Sequence, residues 1–284
     1  MKLPSLALSL AACAALAAPA LAAPALAAPA LAATPEDAGR AVLDRYGAAV
    51  VTLKLAVKTR MTVNGQEKND ESKSETIGTV VDGSGLTAIS LSSIDPSKTV
   101  DAMAAQQSRR SGARLDVKVE SEVSDVDILL ADGSELPARV VLRDRDLDLA
   151  LVMPTTKPAS PLAHVDTTAT VVPKVLDQLV AIYRLGRMAG RAPTLSLERI
   201  NAIVPGPRPY YVLGSGQGSS GIGSPVFDLD GALVGLVLLR SAPPEDDGNV
   251  ATLFNGSASM GLLPIIVPIS QVRDSIAQAL EDAK

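Results

Sequence analysis

Ser220-Gly221-Ile222-Gly223-Ser224-Pro225-Val226-Phe227-Asp228-Leu229-Asp230-Gly231-Ala232-Leu233-Val234-Gly235-Leu236 holds a glycine-rich loop, a proline, and two apolar runs joined by Asp230-Gly231. An Asp-Gly pair between apolar runs is a strong hairpin signal, because both positions tolerate a positive φ. Just upstream, Gly216-Gln217-Gly218-Ser219-Ser220-Gly221 fits the G-x-G-x-x-G pattern of dinucleotide sites and follows a strand-like Tyr210-Tyr211-Val212-Leu213. That pattern needs a helix next, whose N-terminus receives the pyrophosphate. Pro225 and a hairpin follow instead, so the glycines read as a tight loop and no cofactor is expected. Asp228-Leu229-Asp230-Gly231 lacks the later ligands of a calcium loop and reads as the hairpin turn.

Outward from this hairpin the chain is a series of short strands. Gln178 to Tyr183, Thr194 to Ile203 and Leu262 to Pro268 read as strands, and Ile269 to Ala283 has apolar residues at helical spacing. Toward the N-terminus, strands are expected over Val50–Val57, Thr76–Val81, Leu86–Leu91, Val126–Leu130, Ala138–Leu142 and Asp148–Val152. Met61 to Glu75 is polar and reads as a hairpin tip around Asn64-Gly65. Residues 96–122, with Arg109, Arg110 and Arg114, read as an exposed insertion with some helix. A helix from Thr34, with Pro35 in its first turn and Glu36 and Asp37 at its positive end, runs to Gly47. Many short strands with turn signals indicate an all-β barrel pair rather than a βαβ sheet.

Residues 1–33 are Met1-Lys2 followed by an Ala-, Leu- and Pro-rich run with several Ala-x-Ala sites, the pattern of a secretory signal peptide. Prolines at 19, 24 and 29 argue against a transmembrane helix that stays in place. The expected location is periplasmic or secreted. Leu10-Ala11-Ala12-Cys13 resembles a lipoprotein box, which makes lipid anchoring through Cys13 a minor alternative. Cys13 is the only cysteine, so a chain cut after this run has no disulfide and relies on its core. With 26 basic and 31 acidic residues the net charge is −5, and no long basic block makes nucleic acid a partner. One histidine and one cysteine leave no zinc site. There is no Trp and only two Phe, so Val, Leu and Ile must build the core, which favours strands.

The loop and hairpin at 220–236 resemble the nucleophile loop of trypsin-like (chymotrypsin-fold) serine peptidases, written Gly-x-Ser-Gly-Gly-Pro. Further landmarks resemble the bacterial HtrA (high-temperature-requirement) branch: the N-terminal helix running into Val50-Val51-Thr52, the turn Gly83-Ser84-Gly85, Asp132-Gly133-Ser134-Glu135-Leu136-Pro137, Asp148-Leu149-Ala150-Leu151, and Pro268-Ile269. The resemblance implies two six-stranded antiparallel β-barrels with a short N-terminal and a C-terminal helix. It places the peptidase domain over 34–284, with a first barrel at about 48–153, a linker at 154–162, a second barrel at about 163–268 and the last helix at 269–283.

In the active family serine attacks, histidine takes its proton, and aspartate orients the histidine. Carried over by position, the aspartate is Asp148. The Thr-x-x-His motif falls on Ile89-Ser90-Leu91-Ser92, which puts Ser92 at the histidine position. Anchored on Pro225, the nucleophile position is Ile222. A hydroxyl does not replace an imidazole as a base near neutral pH, and isoleucine has no nucleophilic atom. No catalytic residue is therefore expected, and a buried Asp148 should be hydrogen-bonded by Ser92 or nearby N–H groups. Ser220 and Ser224 are the fallback nucleophiles, but no Ser-x-x-Lys dyad supplies a base. The only histidine, His164, falls in the segment between the barrels. The resemblance thus points to an exported pseudo-peptidase that binds a protein or peptide in the old cleft, lined by Gly221, Ile222 and Gly223. The alternative is an HtrA-type serine endopeptidase working near Ser220 and Ser224.

Overall fold

The computed structural model describes residues 34–112, 116–214, 221–241 and 262–282. Helix α1 spans Pro35–Tyr46; the Thr34 hydroxyl accepts the Asp37 N–H at 3.2 Å, and Glu36 and Asp37 lie in the first turn. A single 3-10 turn, Gly47–Ala49, leads into β1, Val50–Val63, which pairs with β2, Gln66–Val80, from Val50↔Thr79 to Val63↔Gln66. Asn64-Gly65 is the turn, at φ 49° and 83°. The hairpin therefore turns at the expected Asn64-Gly65, but the tip is only these two residues and the rest of Met61 to Glu75 is strand. Residues 66–75 are all exposed, so no buried face imposes the apolar alternation by which strands are recognised.

β3, Thr87–Ser90, leads through a 3-10 turn at Leu91–Ser93 to helix α2, Ser97–Ser111. β4, Val117–Leu129, pairs with β1 over its whole length, so the expected insertion at 96–122 contains a helix and, from Val117, the first six residues of a strand. β5, Glu135–Asp144, and β6, Leu149–Pro154, complete a closed barrel in the order β1-β2-β3-β6-β5-β4. Residues 155–177 carry no strand. The second closed barrel contains β7, Gln178–Arg184, β8, Pro193–Val204, β9, Tyr210–Leu213, β10, Pro225–Phe227, β11, Leu233–Ser241, and β12, Leu262–Pro268. Its order is β10-β11-β12-β9-β8-β7, and helix α3, Ile269–Asp282, follows. The fold is the expected one: two six-stranded antiparallel barrels with a short N-terminal helix and a C-terminal helix.

Each barrel has its own aliphatic filling. Val51, Leu53, Ile89, Ile128 and Val152 are buried in the first, and Leu179, Ile200, Val226 and Ile266 in the second. A third cluster, with Val50, Leu86, Leu149, Phe227, Leu236 and Val272, joins residues of both barrels and of α3. Tyr46 of α1 stacks on Phe227 at 4.7 Å between ring centres, joining the first helix to this cluster. Burying such aliphatic side chains contributes roughly 1.5–3 kcal/mol each, which lets a core without tryptophan hold two barrels.

Candidate functional site

The site begins where β3 and β6 lie side by side. Ser90 pairs with Leu149 in that ladder, so the turn after β3 meets the residue that enters β6, Asp148. The Leu91 N–H donates to the Asp148 carbonyl at 2.7 Å. Asp148 has a φ of 57°, a region that short polar side chains tolerate best among residues other than glycine, and it is 1% exposed.

Four donors surround the buried carboxylate. Ser92 Oγ at 2.6 Å and Ser92 N at 3.0 Å donate to Oδ1. Ser90 Oγ at 2.5 Å and Leu239 N at 3.0 Å donate to Oδ2. The expected contact between Ser92 and Asp148 is present. Burial nevertheless holds the Asp148 carboxyl above its ordinary pKa, outweighing the hydroxyl and N–H bonds that favour the charged form. None of the four donors carries a positive charge.

The glycine loop hangs on the same stretch of β11. The Gly223 N–H donates to the Val237 carbonyl at 2.7 Å, and the Val237 N–H returns a bond to the Ser224 carbonyl at 2.9 Å. Val237 and Leu239 are two residues apart, about 6.6 Å along a strand, so loop and carboxylate sit next to each other on β11. Thr79 Oγ1, from the first barrel, donates to the Gly223 carbonyl at 2.8 Å. Gly223 has a φ of 90°, and a Cβ there would lie 2.2 Å from the Ile77 carbonyl oxygen. The loop is therefore pinned by both barrels.

Within this loop Ile222 is half-buried and Gly221 is buried. Ser224 is fully buried, and its Oγ has no hydrogen-bond partner among the described residues. Ser220 lies outside the described residues, as do Cys13 and the rest of 1–33 and Arg114. The side chains of Arg109 and Arg110 also lie outside them. His164 is exposed; its Nδ1 is 2.9 Å from the Leu162 carbonyl and its ring flanks Gly83. The structure thus brings Ser92, Asp148 and the Ile222 loop to one strand, and leaves His164 bonded within its own segment.

Ser90, the Leu239 N–H and Thr79 were not read from the sequence as parts of the site. Ser90 and Ser92 share parity two residues apart, a signal that was available; a backbone N–H such as that of Leu239 leaves none. Chemically the arrangement holds a carboxylate in place without giving it a base to orient. Among the described residues no group of three His, Cys, Asp or Glu is placed to hold a metal, and no helix is long and apolar enough to cross a membrane. The Asp228 carboxylate accepts from the N–H groups of Asp230 and Ala232, at 3.0 and 2.8 Å, as part of the hairpin turn.

The family model described as a trypsin-like peptidase domain matches residues 76–236, more than half of the chain. No curated protein matches it.

Proposed function

Because the chain belongs to the family of trypsin-like peptidase domains, we propose that it is a member that has kept the scaffold and lost the catalytic triad. The observation that carries this is the partner set of Asp148: two serine hydroxyls and two backbone N–H groups, with no imidazole. Proton transfer from a nucleophile needs a base whose pKa lies near the working pH, and a serine hydroxyl does not supply one. Ile222, at the position of the nucleophile, has no atom that could attack. The order of landmarks along the sequence favours the HtrA branch.

In this reading the protein is exported to the periplasm or secreted, with residues 1–33 as signal peptide and the peptidase-like domain over 34–284. It binds a protein or an extended peptide in the groove between the barrels, where an open strand edge offers main-chain hydrogen bonds. The competing reading, a serine endopeptidase acting through Ser220 or Ser224, is weakened by the burial of Ser224 and by His164 lying against Leu162.

The test uses the purified chain, unfolded casein and a serine-reactive fluorophosphonate. Neither cleavage nor labelling is expected. Labelling that disappears in Ser220→Ala or Ser224→Ala would establish the peptidase reading instead. The double substitution Ser92→His with Ile222→Ser should gain labelling, and its failure to do so in a folded variant would count against the assignment of these positions.

A further inference from the structure

Glu75 of β2 and Arg191, in the turn between β7 and β8, are 116 positions apart in sequence and form a two-pronged ion pair. Arg191 Nε is 3.0 Å from Oε2 and Nη2 is 2.5 Å from Oε1, so the pair fastens the first barrel to the second. Beside it lies a cavity of about 310 Å³. Both barrels supply its walls: Thr52 and Lys54 of β1, Glu135 at the start of β5, Arg184 at the end of β7, and Gly190 and Arg191 of the turn. None of the residues that hold Asp148 lines it. Its size is at the lower end of the cavities that take small molecules.

Both carboxylates in this region already have a cation. Glu75 has Arg191, and Glu135 Oε1 is 2.5 Å from Lys54 Nζ. The Arg191 bond, helped by the charges of Arg191, Arg187 and Lys54, holds the Glu75 carboxyl below its ordinary pKa.

Arg184 is different, because every partner it has is a backbone carbonyl. Its Nε donates to Val50, its Nη1 to Arg191 at 3.1 Å and its Nη2 to Gly47 at 3.2 Å. A guanidinium carries five N–H groups, so one on Nη1 and one on Nη2 are left without an acceptor among the described residues. The side chain is half-buried, and burial pushes its pKa down. A cation drawn out of water without an anion is costly. The wall of the cavity therefore holds one positive charge with no counter-charge, and the exposed Arg187 on the same turn adds to its field.

We propose that the cavity between the barrels binds a small oxyanion of the phosphate class, with the Arg184 guanidinium as its anchor. A planar guanidinium can offer two N–H groups to two oxygens of one phosphate, which a point charge cannot. Lys54 and Arg191 act mainly through their field, since each already serves a carboxylate. The site is independent of the lost triad, so either reading can fail without the other.

The probe is inorganic phosphate, titrated into the full chain at an ionic strength held constant with chloride and followed by two-dimensional ¹H–¹⁵N spectra. Thermal melting is a poor readout, because phosphate stabilises most proteins simply by exclusion from their surface. The Arg184 Nε–H signal and the amides of Gly133, Gly190 and Arg191 should shift together and saturate at about millimolar phosphate. Arg184→Gln should weaken binding roughly tenfold. Glu135→Gln removes a competing charge at the mouth and should tighten it roughly three- to fivefold, while Lys54→Gln should weaken it by a similar factor. These two substitutions leave Arg184 in place and alter partly exposed side chains, so they decide the matter even if Arg184→Gln does not fold. Glycerol 3-phosphate, titrated in the same way, shows whether the site also takes the phosphate group of a larger molecule; saturation supports that and its absence restricts the site to the free anion. Shifts that never saturate with inorganic phosphate, shifts elsewhere on the surface but not at these residues, or affinities unchanged in Glu135→Gln and Lys54→Gln overturn the site.

Discussion

Ser92 Oγ donates to Oδ1 of Asp148 at 2.6 Å, bridging 56 positions of sequence inside the first barrel. A hydroxyl satisfies the carboxylate but brings no positive charge, unlike the imidazolium that a working triad forms. The negative charge is buried with dipoles only, and burial raises its pKa above the ordinary 3.8. The folded state then binds the proton more tightly than the unfolded state. The stability this group contributes is fully present below the unfolded value and is lost as pH rises through the folded one. Melting curves between about pH 3 and pH 7 should therefore show the unsubstituted chain losing stability relative to Asp148→Asn as pH rises. A difference that stays constant, or grows in the other direction, would show that the carboxylate is not disfavoured by its surroundings.

Ser224 allows a prediction in the opposite sense to most core substitutions. Its Oγ is buried without a partner among the described residues, so removing it takes away a desolvated polar atom and no bond. Ser224→Ala should leave stability unchanged or raise it by up to about 1–2 kcal/mol in a denaturant titration. A loss of more than that would reveal a partner for the hydroxyl.

Much of the fold was readable as local chemistry. Thr34, Pro35 and the acidic first turn mark α1, and Asn64-Gly65 and Asp230-Gly231 mark two hairpins, because capping and positive φ are properties of single residues. The length of β2 was not readable, since Gln66 to Glu75 pairs with β1 through its backbone while all ten residues are exposed and none packs into the core. The start of β4 was there to be seen in Val117, Val119 and Val123 alternating with Lys118, Glu120 and Glu122. At the site, Asp148 and Ser92 came from position in a motif, whereas Leu239 contributes a backbone N–H that any residue except proline would provide.

The two-sided pinning of Gly223 predicts a steep cost for a single methyl group. An added Cβ would collide with the Ile77 backbone oxygen and also sit on a strained φ. Gly65 has a similar φ of 83° but nothing within 4 Å of its would-be Cβ. Gly65→Ala should lose about 1 kcal/mol from strain alone, and Gly223→Ala about 3 kcal/mol or more. Equal losses in the two variants would mean that the loop can move away from the first barrel.

Arg273 of α3 ties the strandless connection 155–177 to the rest of the molecule. Its Nε donates to the Thr167 carbonyl at 2.6 Å and its Nη2 to the Thr168 carbonyl at 2.7 Å, with a further bond to the Ala169 carbonyl and Nη1 at 3.3 Å from Thr170 Oγ1. One planar fork thus serves four successive residues, a task that a lysine ammonium at the end of a shorter, unbranched arm does not match. α3 itself stays docked through Ile269, Val272, Ile276 and Ala279, which are buried. Arg273→Ala should therefore cost only about 1–3 kcal/mol in global stability while freeing residues 167–170. The readout is limited digestion with trypsin, which cuts after lysine, at the exposed Lys174. Cleavage there should quicken in Arg273→Ala and be only partly slowed again in Arg273→Lys. A cleavage rate equal to that of the unsubstituted chain would show that the connection is held by its own packing, chiefly Val165 and Val171, and not by the guanidinium.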